Sequence, residues 1–145
     1  MLEPGRSIVA EAGILLTRVL LVKNNGKKTF VVVDAGMNDL IRPSLYQAHH
    51  EIVPVKRDCA APDMTADVVG PVCETGDFFA RGRAFSAVES GDLLAIRTTG
   101  AYGFVISSNY NSRPRVCELM ISGGQVHVAR KRETWEDLIR GEQPV

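Results

Sequence analysis

Apolar residues along the chain fall mostly into short runs rich in branched side chains, a pattern of strands more than of amphipathic helices. The first run, Gly13 to Lys23 (GILLTRVLLVK), stops at Asn24-Asn25-Gly26, and the second, Thr29 to Asp34 (TFVVVD), begins after Lys27-Lys28. Asn-Gly between two such runs predicts a hairpin, because both residues tolerate the left-handed backbone of a tight turn. Further strands are predicted over Glu51–Lys56, Ala66–Val72, Leu93–Thr98, Tyr102–Ser107, Arg115–Ser122 and Gln125–Lys131, with Gly123-Gly124 turning between the last two. Alternation in VCELMIS puts Cys117 on the more apolar face with Leu119 and Ile121, which predicts a buried, structural thiol.

Helical signals are few. Asn38-Asp39 can cap a short helix; Pro43 either limits it or opens a separate turn through Ser44, Leu45 and Tyr46. Thr134 to Arg140 reads as a helix: Thr134 caps it, Glu136 and Asp137 suit its first turn, and Gly141 follows. Trp135 and Leu138, three apart, would bury one face. The fold class expected is mainly β, a small barrel or sandwich with one or two short helices, and residues 57–65 are the best candidate for a longer loop.

Composition narrows the function classes. A chain of 145 residues, 45% hydrophobic and 23% charged, suits one folded domain rather than a disordered segment. Seventeen basic residues balance seventeen acidic ones, which argues against general nucleic-acid binding. The longest apolar run, residues 13–22, is interrupted by Thr17 and Arg18 and falls short of the roughly 20 residues a membrane helix needs. The opening MLEPGRS is unlike a signal peptide, so a cytoplasmic protein is expected. Cys59, Cys73 and Cys117 are odd in number and widely spaced, against a disulfide framework. His49, His50 and His127 form no HxxxH or HExxH motif, so no metal site is expected and all three read as half-buried structural residues.

Four polar clusters stand apart from this scaffold. In Glu3-Pro4-Gly5-Arg6, the Pro-Gly pair lets the backbone turn close to a ligand, and Arg6 offers a fork for carboxylate or phosphate. Arg42 and Tyr46, four apart, either grip an anion together or are a solvated arginine beside a core tyrosine. In Gly70–Asp77 (GPVCETGD), Cys73 is nucleophile, acid or core; the neighbouring Glu74 disfavours a thiolate and suits a thiol that donates a proton. In Gly100–Arg115 (GAYGFVISSNYNSRPR), Gly100 and Gly103 bracket Tyr102, and a run of small polar residues follows.

Taken in this order, EPGRSIVAEAG, VVDAGMNDLIRPSLYQAHHEI, GPVCETGD and GAYGFVISSNYNSRPR resemble the C-terminal part of the diaminopimelate decarboxylases. These are fold-type III pyridoxal-phosphate enzymes of the alanine-racemase-like group. The resemblance covers nearly the whole chain. It implies a two-domain subunit in which an N-terminal (β/α)8 barrel carries the cofactor lysine and a C-terminal β domain completes the site. Residues 1–12 would be the tail of that barrel, which is otherwise absent from this chain. None of Lys23, Lys27, Lys28, Lys56 and Lys131 matches the cofactor lysine, so the chain alone is expected to be inactive.

Residue by residue, the resemblance implies that Glu3, Pro4, Gly5 and Arg6 line the cofactor phosphate and that Arg6 also reaches substrate. It gives Arg42 and Tyr46 the distal carboxylate, Tyr102 contact with cofactor and substrate, Cys73 the proton donated after CO2 departs, and Glu74 the distal ammonium. It also implies a homodimer in which Cys73 and Glu74 serve the partner subunit's site. Two other readings stand beside it: a non-catalytic β domain serving dimer assembly, and a decarboxylase of another diamino acid, which Arg42 and Tyr46 disfavour.

Overall fold

The computed structural model describes residues 1–56 and 62–143. Its strands are β1 (Ile14–Asn24), β2 (Thr29–Val33), β3 (Ile52–Pro54), β4 (Asp63–Val69), β5 (Phe78–Ser86), β6 (Leu93–Arg97), β7 (Glu118–Ser122) and β8 (Gln125–Arg130). Two short helices, α1 (Arg42–Tyr46) and α2 (Trp135–Leu138), interrupt them. The first six strands form one sheet in the order β3-β6-β1-β2-β4-β5, and β7 with β8 forms a separate two-stranded sheet.

Strand β1 organises the larger sheet by changing partners along its length. Residues 14–18 pair antiparallel with β6, and residues 19–24 pair with β2 after a register shift between Val19 and Leu21. Such an irregularity bends a strand and adds twist, which curls the sheet. The curl brings the two edge strands toward each other, and Arg83 Nη1 of β5 donates to the carbonyl of His50, just before β3, at 2.9 Å. The sheet is therefore barrel-like and nearly closed. Inside it Val31, Val33, Val68, Leu94 and Ile96 are sealed from solvent, each contributing roughly 1.5–3 kcal/mol of burial.

One pairing matters for the site. Strands β2 and β4 are parallel, so the chain must cross over between them rather than make a hairpin. That crossover carries α1 and β3.

The mainly β expectation holds, as do both hairpins and the final helix, but α2 buries no residue and Trp135 is exposed, against the buried face expected of it. Asn25 Oδ1 accepts the Lys28 amide at 2.8 Å in the first turn, and Ser122 faces Gln125 across Gly123-Gly124. Thr134 and Asp137 form a capping box on α2.

Other expectations are corrected. Residues 102–107 are not a strand: Tyr102 takes φ +57° and Phe104–Ile106 wind into a single 3-10 turn. Phe78–Ser86 is a strand that the apolar pattern missed. Arg81-Gly82-Arg83 breaks its alternation, and Gly82, at φ +56°, donates its amide to Asp67 Oδ1 at 2.6 Å, marking a bulge. Asn38 and Asp39 do not cap α1; its N-terminal flank is Ile41, and Pro43 lies in its first turn. Cys117 is half-buried and lies just outside β7, a strand whose own residues are mostly exposed. His50 is fully buried, whereas His49 and His127 are exposed. In the expected 57–65 loop, Asp63–Thr65 belong to β4, and Cys59 lies outside the described residues.

Candidate functional site

Three connections converge beside α1. The first is the turn from β2 into α1. Asp39 Oδ2 accepts the Gly36 amide at 2.9 Å, and the Asp39 and Leu40 amides donate back to the Gly36 carbonyl. Pro43, in the first turn of α1, lacks the amide that would be unpaired there. The resulting turn of helix presents Arg42 and Tyr46 together.

The second connection is the β4–β5 loop, which holds Cys73 and Glu74. The buried Asp77 ties it down, accepting the Met37 amide on Oδ1 and the Val72 amide on Oδ2, both at 2.6 Å. Burial raises the Asp77 carboxyl above its ordinary range in spite of these bonds. Gly76 lets the loop press onto α1, since a Cβ there would lie 2.6 Å from Ser44 Oγ. The loop is a succession of turns, with the Glu74 amide on the Val72 carbonyl at 2.8 Å and the Asp77 amide on the Glu74 carbonyl at 3.0 Å. Cys73 is thus exposed on a braced loop, as a free thiol, rather than at a strand end.

The third is the segment after β6. Gly100 donates its amide to the Ala10 carbonyl at 3.0 Å, and a side chain on Gly100 would strike the Val9 carbonyl. This close approach docks the N-terminal segment on the strand end. Tyr102 follows in the left-handed region, a conformation that costs a non-glycine residue energy and that packing must enforce.

These connections bring Arg42, Tyr46 and Tyr102 into one cluster. The Arg42 guanidinium lies 5.5 Å from the Tyr46 ring centre and 5.9 Å from that of Tyr102, within reach of a cation–π attraction. Arg42 is only 9% exposed, and its guanidinium makes no hydrogen bond or ion pair among the described residues. Both tyrosines keep an exposed side. A buried cation backed by two aromatic rings, with no carboxylate of its own, is suited to a planar anion from outside.

Cys73 and Glu74 form a second group. Tyr110 Oη donates to Glu74 Oε2 at 3.1 Å, and this bond holds the phenol above its usual range. No hydrogen bond or ion pair links this group to Arg42 among the described residues. Glu3, Pro4, Gly5 and Arg6 are exposed at the start of the chain, where the Ser7 amide donates to the Pro4 carbonyl at 3.2 Å and Gly5 takes φ +56°. The turn predicted there is present. Among the described residues, no group of three or more candidate metal ligands occurs, and no helix is long and apolar enough to cross a membrane.

Several residues that hold this arrangement escaped sequence reasoning. Arg113 donates through Nε to Asn38 Oδ1 at 2.9 Å and through Nη2 to the Asp34 carbonyl at 2.6 Å, clamping the third connection to the first. The Ser108 amide donates a further hydrogen bond to the Asn38 carbonyl at 2.9 Å. Tyr110 and Asp77 are likewise long-range partners. The one available signal was their place in turn-rich polar stretches.

Comparison with known proteins now decides the family. The model of the pyridoxal-dependent decarboxylase C-terminal sheet domain matches residues 7–100. The chain belongs to this family. A diaminopimelate decarboxylase of Zymomonas mobilis is 54% identical over 143 residues, which cover 99% of this chain and 34% of that enzyme. The crystal structure of the Helicobacter pylori diaminopimelate decarboxylase with L-lysine is 51% identical, with a TM-score of 0.87 over 95% of this chain and 34% of that one. The M. jannaschii enzyme, also in complex with L-lysine, is 41% identical with a TM-score of 0.91 over 97% of this chain and 32% of that one. The chain thus spans about a third of the length of these relatives.

The donor set fits part of the family's cofactor. The Gly5 turn, which lets the backbone come close to a ligand, and the exposed Arg6 suit a phosphate. As for a covalent anchor, Lys23, Lys27 and Lys28 sit at the β1–β2 hairpin, Lys56 follows β3 and Lys131 follows β8.

Proposed function

We propose that this chain is the C-terminal half-site domain of a pyridoxal-phosphate-dependent diaminopimelate decarboxylase, converting meso-2,6-diaminopimelate to L-lysine and CO2. Arg42 carries the reading. A buried guanidinium without a counter-charge among the described residues suits an enzyme whose substrate ends in a carboxylate, and a ligand lacking that group would leave the charge unpaired. The identity to named diaminopimelate decarboxylases over almost the full chain supports the same reading.

The residues divide the work. Glu3, Pro4, Gly5 and Arg6 would line the cofactor phosphate, and Arg6 would also reach substrate. Arg42 and Tyr46 hold the distal carboxylate of the substrate, Glu74 holds its distal ammonium, and Tyr102 packs on cofactor and substrate. Pyridoxal phosphate, when bound, supplies an electron sink for the pair left at Cα as CO2 departs. The Cys73 thiol then gives its proton to Cα from a loop braced by Asp77. The lysine that anchors the cofactor comes from a (β/α)8 barrel domain outside this chain. Cys73 and Glu74 reach the partner's site in a cytoplasmic homodimer. The exposed apolar row on the outer face of β1 (Ile14, Leu16 and Leu20) suits docking of these neighbours.

The test is CO2 release by the full-length protein that carries this domain, from meso-diaminopimelate and from ornithine. Preference for diaminopimelate, lost in Arg42→Met through a raised KM, is the expected result. Faster turnover of ornithine would overturn the reading.

A further inference from the structure

Two buried side-chain nitrogens in the described residues have no hydrogen-bond partner: Arg42 Nε and His50 Nε2. They belong to one short chain reversal. Gln47 takes φ +52° and ψ +31° at the end of α1, a left-handed cap that turns the chain back on itself. The Ala48 amide then donates to the Arg42 carbonyl at 3.3 Å. His50 follows this reversal and is itself buried, near enough to Arg42 for the guanidinium charge to act on its imidazole.

The chemistry of the two nitrogens is complementary. His50 Nδ1 lies 2.9 Å from the Arg97 carbonyl, which can only accept, so Nδ1 carries the hydrogen. The carbonyl of His50 is held by Arg83, which leaves the ring little freedom. In the neutral imidazole Nε2 is then a lone pair seeking a donor. Arg42 Nε is a donor seeking an acceptor. Burial, with the positive charges of Arg42 and Arg6 added to it, holds the imidazole below its ordinary pKa and so neutral. Leaving either nitrogen unpaired in the interior costs about 1–3 kcal/mol, and buried waters commonly bridge such pairs.

We infer that His50 is a positioning residue for Arg42: its Nε2 accepts the Arg42 Nε–H through one buried water. Arg42 is thereby fixed at the root of its planar fork, and its terminal nitrogens stay free for the ligand carboxylate. His50 touches neither substrate nor cofactor. Its effect is confined to ligands that use the Arg42 fork, which rests on the proposed role of Arg42 in holding the distal carboxylate.

The experiment compares equilibrium binding of L-lysine and 1,5-diaminopentane to the full-length protein, as wild type, His50→Gln, His50→Met and Arg42→Met. L-Lysine, the product, keeps the distal carboxylate; 1,5-diaminopentane lacks it and serves as the internal control. His50→Met is expected to weaken lysine binding about tenfold, the scale of one lost charge-assisted contact, and to leave 1,5-diaminopentane binding unchanged. His50→Gln, which restores an acceptor, should recover part of the loss. Equal weakening of both ligands, or of neither, overturns the inference. If Arg42→Met also leaves the preference intact, the proposed role of Arg42 falls with it; if Arg42→Met removes the preference and His50→Met does not, only the role of His50 falls. A crystal structure of the full-length protein gives a test independent of variant folding. An ordered water shared by the two nitrogens is expected, and separate partners for each would overturn the inference.

Discussion

Strands β2 (TFVVV) and β7 (ELMIS) carry similar apolar side chains and meet different fates. Val31 and Val33 of β2 are sealed in the barrel, whereas Leu119, Met120 and Ile121 of β7 are 56, 60 and 75% exposed. The difference lies in layers rather than in residues. Strand β2 has neighbours on both edges, β1 and β4, and a face closed by the curl of the sheet. Strand β7 pairs with β8 alone, whose six residues are all exposed. An alternating apolar pattern specifies a strand; burial needs a second surface.

Polar contacts, in place of a core, tie the residues around this hairpin to the segment that follows β6. Glu133 accepts the Arg115 amide at 2.8 Å, Arg115 Nε at 2.7 Å and Asn109 Nδ2 at 2.6 Å. Arg115 and Arg130 both lie over the Phe104 ring, at 5.4 and 4.7 Å from its centre. Substitutions in the two regions should therefore separate sharply. Leu94→Ala in the barrel is expected to cost about 2–5 kcal/mol in urea denaturation, as a buried large-to-small change. An equal cost from Ile121→Ala would break the contrast.

Next in size is Asp77→Ala, which leaves the Met37 and Val72 amides without their acceptor. A loss of about 1–3 kcal/mol is expected, with weakened turnover by the full-length protein because Cys73 rides on the same loop. Unchanged turnover with lowered stability would uncouple the loop from the chemistry.

The polar anchor gives a prediction in pH. Hydrogen bonding to Arg115 is the main cause that lowers Glu133 to about 2 from an ordinary value of 4.5. A depressed carboxylate pKa means the contribution is complete above about 4.5 and fades as pH falls toward about 2. Glu133→Gln should flatten this part of the stability profile; a variant with the wild-type profile would contradict the assignment. The smallest effect is expected from Ile121→Ser, within about 0.5 kcal/mol in the domain as described.

The same contrast explains what the sequence made legible. Hairpin turns at Asn25-Gly26 and Gly123-Gly124, and the Thr134 cap, are local chemistry and could be read directly. Arg42, Tyr46 and Tyr102 were legible as candidates, since a spacing of four and a pair of flanking glycines have local meaning. Their gathering around one guanidinium was not, because it depends on the parallel β2–β4 crossover. Arg113, Asp77 and His50 act across more than 30 residues, and no spacing rule reaches that far. Strand β5 was hidden by its charged, glycine-broken centre. Cys117 was misjudged because alternation assigns a face without saying whether anything covers it.

The central claim concerns a thiol and a cofactor in one site, and one comparison tests it most directly. CO2 release from meso-diaminopimelate would be measured for the full-length protein and its Cys73→Ala variant, with pyridoxal-phosphate absorbance followed on the same samples. The account predicts a fall of at least about a hundredfold in turnover, the scale of a lost general acid, with cofactor absorbance retained. Wild-type turnover, or loss of the cofactor along with activity, would contradict it.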